Sequence, residues 1–304
     1  LQPEARRRPP RREHTHEPPR TRPHRHRHAD PRIPGPSPRR GRPRLAVGYT
    51  GLDEKAATDR GRPRLAGGYR QGLPRSGPQP YDEDMTIAIV GAGPGLGAAV
   101  ARKFGREGFA VALIARNRTK LEALEKDLAA DGVTARGYVA DVRDRDALAR
   151  ALERAAEDLG PIEVMQFSPV PGADFLKPVL ETTVEDLRAA VELSILGFSA
   201  AVGQVLPGMM ERGAGTILLI NGASAATPNG RVAGTSTAFA GESAYGAMLH
   251  EAATPKGVNV RQLIIPGAIG GGDPLYEPAA LAERIWRLHT TPGPFRVTVG
   301  EEPV

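Results

Sequence analysis

One turn constrains this chain more than any other feature. The glycine-rich run Gly91-Ala-Gly-Pro-Gly-Leu-Gly97 lies between an apolar strand pattern, Met85–Val90, and a helix-spaced run, Ala98–Phe104. A strand that passes through closely spaced glycines straight into a helix opens a β-α-β unit. The same alternation then continues along the chain. Strands are expected at 109–115, 135–140, 162–167, 216–220, 258–264 and 295–299, and helices at 118–130, 144–159, from about Thr183 through Leu196, 237–253 and 278–289. Leu121, Leu124 and Leu128 share one helical face. Asp144 and Asp146 favour the start of their helix. Thr183 and Asp186 resemble a capping box with Asp in place of Glu. Strict alternation implies α/β architecture: a single doubly wound parallel sheet of about seven strands, with helices on both faces, over residues 85–304.

Residues 1–84 read differently. They hold 20 Lys+Arg against 10 Asp+Glu, with 15 Pro and 5 of the 7 His, whereas 85–304 holds 21 against 25. The basic excess of the chain therefore belongs to this leader, and the body is mildly acidic. The leader has too little apolar surface to offset the entropy of ordering, so it is expected to be disordered. Gly41-Arg-Pro-Arg-Leu-Ala-Val-Gly-Tyr49 recurs as Gly61-Arg-Pro-Arg-Leu-Ala-Gly-Gly-Tyr69, but two copies make no solenoid. A basic arm on nucleic acid and a weak metal site at Pro23-His-Arg-His-Arg-His28 are alternatives. The favoured expectation is that the leader is not native protein. The first Met of the chain is Met85, at the edge of the first strand, and upstream GC-rich DNA read in frame would encode such a composition.

Composition excludes several classes of function. Cys is absent, which removes disulfides, Cys-based zinc sites, iron–sulfur clusters and a Cys nucleophile. No metal site is expected. No apolar run approaches the ~20 residues of a membrane helix, and no secretory signal pattern is present. A soluble cytoplasmic protein is the expectation, without a membrane partner. The mild acidity of the body argues against nucleic acid as its partner.

The glycine turn has the context that nucleotide binding requires. Gly91 permits the tight turn, Gly95 lets backbone approach a pyrophosphate, and Gly97 permits close helix–strand packing. The helix start then offers free N–H groups to phosphate. At the end of the second strand the sequence reads Ala115-Arg116-Asn117-Arg118, without the carboxylate that an NAD ribose would use. A guanidinium pairs well with a 2′-phosphate, so NADP(H) is the expected cofactor.

These residues together resemble the short-chain dehydrogenase/reductase family. The spacing Gly91-x-x-x-Gly95-x-Gly97, with Gly93 and Leu96 inside it, matches the family's cofactor loop. Asp141-Val142 matches the pair that meets the adenine ring, and Pro266-Gly267-Ala-Ile269 resembles the turn near the nicotinamide carboxamide. Leu206–Ile217 is similar to the family's helix leading into its fifth strand. The resemblance covers the whole body. It implies a Rossmann sheet of order 3-2-1-4-5-6-7 and a homodimer or homotetramer. The cofactor-binding residues it implies are Gly91, Gly93, Gly95, Leu96, Gly97, Arg116, Asn117, Asp141, Val142, Ser168, Pro266, Gly267 and Ile269.

The family's catalytic pattern is missing. Its chemistry uses Tyr-x-x-x-Lys on a helix, with a Ser and an Asn nearby. No Tyr in this chain has Lys four residues on. The expected Tyr falls near Gly234–Ser236, the Lys near Ala238–Ala240, the Ser on Gly222 and the Asn on Ser194. The segment usually reading Asn-Asn-Ala-Gly is Phe167-Ser-Pro-Val170. Ser224 and Tyr245 are the candidate catalytic substitutes, although Tyr245 lies about ten residues late and reads more readily as packing. His250 is an alternative proton-transfer group but reads more readily as a surface or satisfied residue. Thr235, Ser236 and Thr237 read as hydroxyls near the vacated Tyr position. Glu242 is an alternative stand-in carboxylate but reads more readily as part of an exposed helix face.

Two functions remain. One is an NADP(H)-dependent oxidoreductase moving hydride to or from a small carbonyl, alcohol or activated substrate through a non-standard site. The other is a nucleotide sensor or scaffold that has lost turnover. Phe167, Pro169, Phe175, Leu176 and Ile269 are candidates for an apolar pocket that the first would need.

Overall fold

The computed structural model describes residues 85–301. The expectations about the leader fall on residues 1–84 and lie outside the described residues. The chain runs β1 (Thr86–Val90), α1 (Leu96–Arg106), β2 (Ala110–Ala115), α2 (Arg118–Ala130), β3 (Ala135–Val139), α3 (Arg145–Leu159) and β4 (Ile162–Phe167). It continues through α4 (Val184–Val191), a π-helical turn (Glu192–Leu196), α5 (Gly197–Arg212), β5 (Gly215–Gly222), α6 (Ala233–Ala253), β6 (Val258–Ile265), α7 (Pro278–Thr290) and β7 (Arg296–Thr298).

The seven strands form one parallel sheet in the order β3-β2-β1-β4-β5-β6-β7, as the family resemblance implies. Strands covered on both faces read as continuous apolar runs rather than alternating ones, and every residue of β1 is buried. One core layer joins Phe104 of α1, Leu121, Leu124 and Leu128 of α2 and Leu281, Ile285 and Leu288 of α7 to one face of the sheet. The other joins Leu148 and Leu152 of α3, Phe198, Val202 and Met209 of α5 and Ala238 and Ala253 of α6. The strand order reverses between β1 and β4, which opens a crevice at their carboxyl ends.

Local signals place the helix starts. Asn117 accepts from Lys120 N at 2.9 Å and caps α2, and Asp144 caps α3 through Ala147 N at 2.9 Å. Both halves of the Thr183–Asp186 capping box on α4 are formed. Each such cap is worth about 1 kcal/mol. α6 starts at Ala233, earlier than the expected residue 237, because its small residues carry no apolar stripe to mark the first turn.

The helix from Val184 to Arg212 corrects a second expectation. It spans 29 residues, and by length and composition alone it is apolar enough to cross a membrane, with a mean hydropathy of 1.6 over its most apolar window. Of that window 44% is buried inside the fold, where Phe198, Ala201, Val202 and Met209 belong to the core. Gly197 lets it approach the segment after β3, since a Cβ there would stand 2.8 Å from the Val142 carbonyl oxygen.

Phe104, Phe109, Trp286 and His289 form an aromatic cluster where α1 and α7 meet the sheet, with the Trp286 and His289 rings 5.4 Å apart. His289 Nδ1 lies 2.9 Å from Thr216 Oγ1. Burial pushes its pKa down to about 4. A buried neutral His stabilises the fold fully above its unfolded pKa near 6.5 and loses that contribution as pH falls toward 4. The melting temperature of the wild type, measured against a His289→Gln variant, should therefore fall as pH is lowered through this window and stay level above pH 7.

Candidate active site

Two adjoining cavities open at the carboxyl ends of the central strands. One, of about 280 Å³, is lined by the end of β2, by Ala140 and Val142 after β3, and by Leu193. The other, of about 480 Å³, lies over β5 and β6 and includes Ile220, Asn221, Phe239 and Ile265. They share Gly91, Gly93, Pro94, Pro169 and Val170, so they are two halves of one cleft divided by the glycine turn.

The turn is built for close approach. Gly91 has φ +92°, and a Cβ there would stand 2.6 Å from the Ser168 and Pro169 backbone. A Cβ on Gly97 would stand 3.2 Å from Ala92 Cα. At Gly93 and Gly95 a Cβ would meet nothing within 4 Å. Those two glycines border open cleft, which is the cradle a pyrophosphate needs. The N-cap of α1 is Gly95, which has no side chain to cap with, and no acidic residue lies in the first turn. The helix start is thus left to an anion.

The smaller half carries the cations. Arg116 and Lys120 both line it, beside Asn117. Lys120 was not singled out from the sequence. It comes into line because Asn117 turns the chain into α2 and sets Lys120 one turn from Arg116. The Asn117 side chain serves as that cap, which spends its acceptor on Lys120 N. Asp141 is held by Arg143, with Oδ2 at 3.0 Å from Nη2. Burial raises the Asp141 carboxyl, but hydrogen bonds from Arg143 and the charges of Arg143 and Arg116 hold it below the usual carboxylate range. Val142 lines the cavity and Asp141 stands just outside it.

The larger half is apolar. Leu96, Pro169, Val170, Pro171, Ile220, Phe239, Ile265, Gly267 and Ile269 line it, with only Ser168 and Asn221 supplying polar side chains. Ser168 Oγ accepts from Gln166 Nε2 at 2.9 Å. Gly267 is required by Tyr276, whose ring would collide with any Cβ at that position. Pro266 precedes it, exposed and outside the lining. Of the five residues expected to line an apolar pocket, Pro169 and Ile269 do so. Phe167 and Phe175 are instead buried in the core, and Leu176 is 49% exposed.

A profile of the family described as short chain dehydrogenase matches residues 85–272. The chain belongs to the short-chain dehydrogenases. It is 28% identical over 243 residues to the NADP-dependent 3-hydroxy acid dehydrogenase YdfG of Salmonella typhi, covering 71% of this chain and 94% of that protein. Several curated relatives are matched over a smaller part of their own length. A glycine betaine reductase of Emericella nidulans is 33% identical over 44% of this chain and 11% of its own, and a 2,3-dihydro-2,3-dihydroxybenzoate dehydrogenase of Bacillus subtilis is matched over 55% of its own. Among solved structures, a short-chain dehydrogenase from Rhodopseudomonas palustris superimposes with a TM-score of 0.64 at 28% identity, over 73% of this chain and 99% of that one. The fold is also shared, with a TM-score of 0.63 at 24% identity over 73% and 98% of the two chains, by an NADPH-bound oxidoreductase from Pseudomonas aeruginosa described as having an atypical catalytic center.

As a short-chain dehydrogenase this protein has an altered centre. Position 222 is Gly and position 194 is Ser, and the first positions of α6 carry Thr235 and Phe239 where a Tyr and a Lys are expected. Thr235 Oγ1 donates to Val232 O at 3.1 Å, and Ser236 Oγ donates to Ser224 O at 3.3 Å. These hydroxyls close the loop before α6 and do not line the cleft. Neither catalytic candidate lines it either. Ser224 sits in a short turn after β5, and its backbone carbonyl serves that loop. Tyr245 packs edge-on against Phe198 at 5.8 Å, three turns too far along α6 to reach the cleft. His250 Nδ1 lies 2.8 Å from Val260 O and is satisfied there.

Glu242 is the largest correction. The sequence places it on an exposed face, yet it is 1% exposed. Burial pushes its pKa up to about 8, against hydrogen bonds from Asn221 and Ser194 that pull the other way. Reading α6 from its true start shows why: Glu242 is one turn beyond Phe239 and two beyond Thr235, on the inward face.

The glycines supply a separable test. Gly91→Ala should lower the unfolding midpoint, because it forces a positive φ and a backbone clash. Gly93→Ala should leave the midpoint near that of the wild type and weaken dinucleotide binding at least tenfold, or about 1.4 kcal/mol. Thermal melts and nucleotide titrations on the same samples check both.

Proposed function

We propose that this protein is an NADP(H)-binding oxidoreductase that moves hydride to or from a small, uncharged carbonyl or alcohol. The observation that carries the reading is the pair Arg116 and Lys120 lining the cleft at the end of β2, continuous with the glycine cradle. Two cations and no acid suit a 2′-phosphate. Gly91, Gly93, Gly95, Leu96 and Gly97 would hold the pyrophosphate, and Val142 with Asp141 the adenine. Ser168, Pro266, Gly267 and Ile269 would hold the nicotinamide. When bound, the reduced nicotinamide supplies the hydride, and the chain supplies orientation and the exclusion of water. The NADP dependence stated for YdfG and the NADPH bound to the Pseudomonas aeruginosa structure support the assignment.

The lining of the larger half favours an apolar substrate portion, since no charged side chain lines it. That same feature favours a second reading, a nucleotide sensor or scaffold without turnover. Under either reading the domain begins at residue 85, works in a reducing cell interior with a small-molecule ligand, and forms a homodimer or homotetramer. The exposed small residues Ser199 and Gly203 of α5 and Ala240 and Ala244 of α6 support close packing between copies.

Titration with NADPH and NADH tests the cofactor assignment. The wild type should bind NADPH more tightly than NADH. Arg116→Ala should weaken NADPH binding by about 10- to 100-fold, the range of a charge-assisted contact worth ~1.5–3 kcal/mol, and leave NADH binding little changed. Equal loss for both nucleotides would remove the 2′-phosphate role, and no saturable binding would remove both readings.

A further inference from the structure

The larger half of the cleft lacks the hydroxyl and ammonium groups that its relatives use, but its floor holds one amide. Asn221, 5% exposed at the end of β5, lines the cleft and belongs to a buried polar chain. Its Nδ2 donates to Glu242 Oε1 at 3.5 Å, and its Oδ1 accepts from Gln262 Nε2 at 2.8 Å. Gln262 Oε1 in turn accepts from Ser243 Oγ at 2.7 Å and from Arg296 Nε at 2.8 Å.

The orientation of this chain is decided at its outer end. A guanidinium only donates. Arg296 therefore requires the oxygen of Gln262, which turns the Gln262 NH2 toward Asn221. Asn221 must then present its own oxygen to Gln262 and its NH2 toward Glu242. A carboxamide has two N–H groups and one oxygen. The oxygen is taken by Gln262 and one N–H by Glu242, so one N–H remains for the cleft that Asn221 lines.

We infer that Asn221 is the oxyanion-stabilising donor of this site, fixed in that orientation by Gln262 and Glu242. The inference rests on the reading of the cleft as an NADP(H) site. The carbonyl carbon of the substrate accepts hydride from NADPH, forming the new C–H bond, and the C=O π pair moves onto oxygen. The substrate is reduced and NADPH becomes NADP⁺. The Asn221 N–H holds the growing charge on oxygen, and the alkoxide then takes its proton from water. A preorganised amide donor of this kind is worth about 10²–10³ in rate.

Glu242 is a positioning residue, and it makes the effect depend on pH. Its ionisation would set a negative charge beside the Asn221 amide and weaken the donor toward an oxyanion. The charged groups on neighbouring elements do not offset this. Asp186 of α4 is paired with Lys177 at 2.7 Å, and Arg296 is bound to Gln262 and Ser243. Glu185, Arg188 and Glu192 lie on the packed α4 and π-turn segment, and Tyr245 and His250 lie farther along α6. None of these contributes to the shift of Glu242, which comes from burial and from the neutral donors Asn221 and Ser194.

The test uses the full chain with NADPH and 9,10-phenanthrenequinone, an activated dicarbonyl, as probe. The wild type should oxidise NADPH with the probe, with kcat falling above about pH 8. Asn221→Ala should lower kcat about 100-fold with NADPH affinity unchanged. Glu242→Gln, whose amide oxygen can still accept from Asn221, should retain kcat within about threefold at pH 7 and lose the alkaline fall. Glu242→Leu should lose activity at all pH values. A second readout needs no turnover: the Asn221 side-chain NH2 resonances, assigned by their loss in Asn221→Ala, should titrate in step with the alkaline fall and become pH-independent in Glu242→Gln. A wild type that binds NADPH but does not reduce the probe overturns the inference and leaves the cofactor reading standing. An Asn221→Ala variant of full activity, or Asn221 resonances blind to pH, overturns it equally. Failure to bind NADPH fails the cofactor reading itself.

Discussion

The cleft depends on one close approach. At Gly91 the chain leaves β1 with φ +92° and passes so near Ser168 and Pro169 that no side chain could stand between them. That contact ties the end of β1 to the end of β4, the two strands at which the sheet order reverses. The crevice exists because helices depart to opposite faces from these two strands. Gly93 and Gly95 then border open space rather than packed atoms, so the same few residues hold the sheet together on one side and leave a cradle on the other.

Around this constraint the two halves of the cleft have divided their chemistry. The half under α2 is cationic, through Arg116 and Lys120, and the half over β5 and β6 is nearly all apolar. Its polar capacity lies in Asn221 of the floor and, beneath it, in Glu242, Gln262 and Ser243, all buried. Such a chain is stable only when each member is satisfied, and Arg296 on the edge strand β7 sets the direction of both amides behind it. This short-chain dehydrogenase, without the Tyr and Lys of its family, thus has an ordered chain of buried hydrogen bonds beside its cleft.

Much of the architecture was legible in the order of residues. The apolar runs of β1 and β4, the leucine stripe of α2 and the capping box at Thr183 each act over a few residues, where propensity and hydrogen bonding suffice to set the outcome. The glycine turn and Arg116 were legible for the same reason. Lys120 was not, because its place in the cleft depends on how α2 is capped. The small-residue start of α6 carries no periodicity, so its true first turn at Ala233 was lost, and with it the burial of Glu242.

By itself the sequence determined the alternation of strands and helices, the nucleotide-type turn, the lack of a family Tyr–Lys pair and the absence of Cys chemistry. These follow from composition and from neighbours close along the chain. Only the tertiary structure decided that Phe198 is the ring against which Tyr245 packs, that His289 is buried and neutral, and that Glu242 lies behind Asn221. Asn221 and Gln262 are 41 residues apart in the chain, and no local pattern records that their amides meet. Their meeting follows from the register of β5 on β6, in which Asn221 stands opposite Ile264, and from an Arg on the last strand that can only donate.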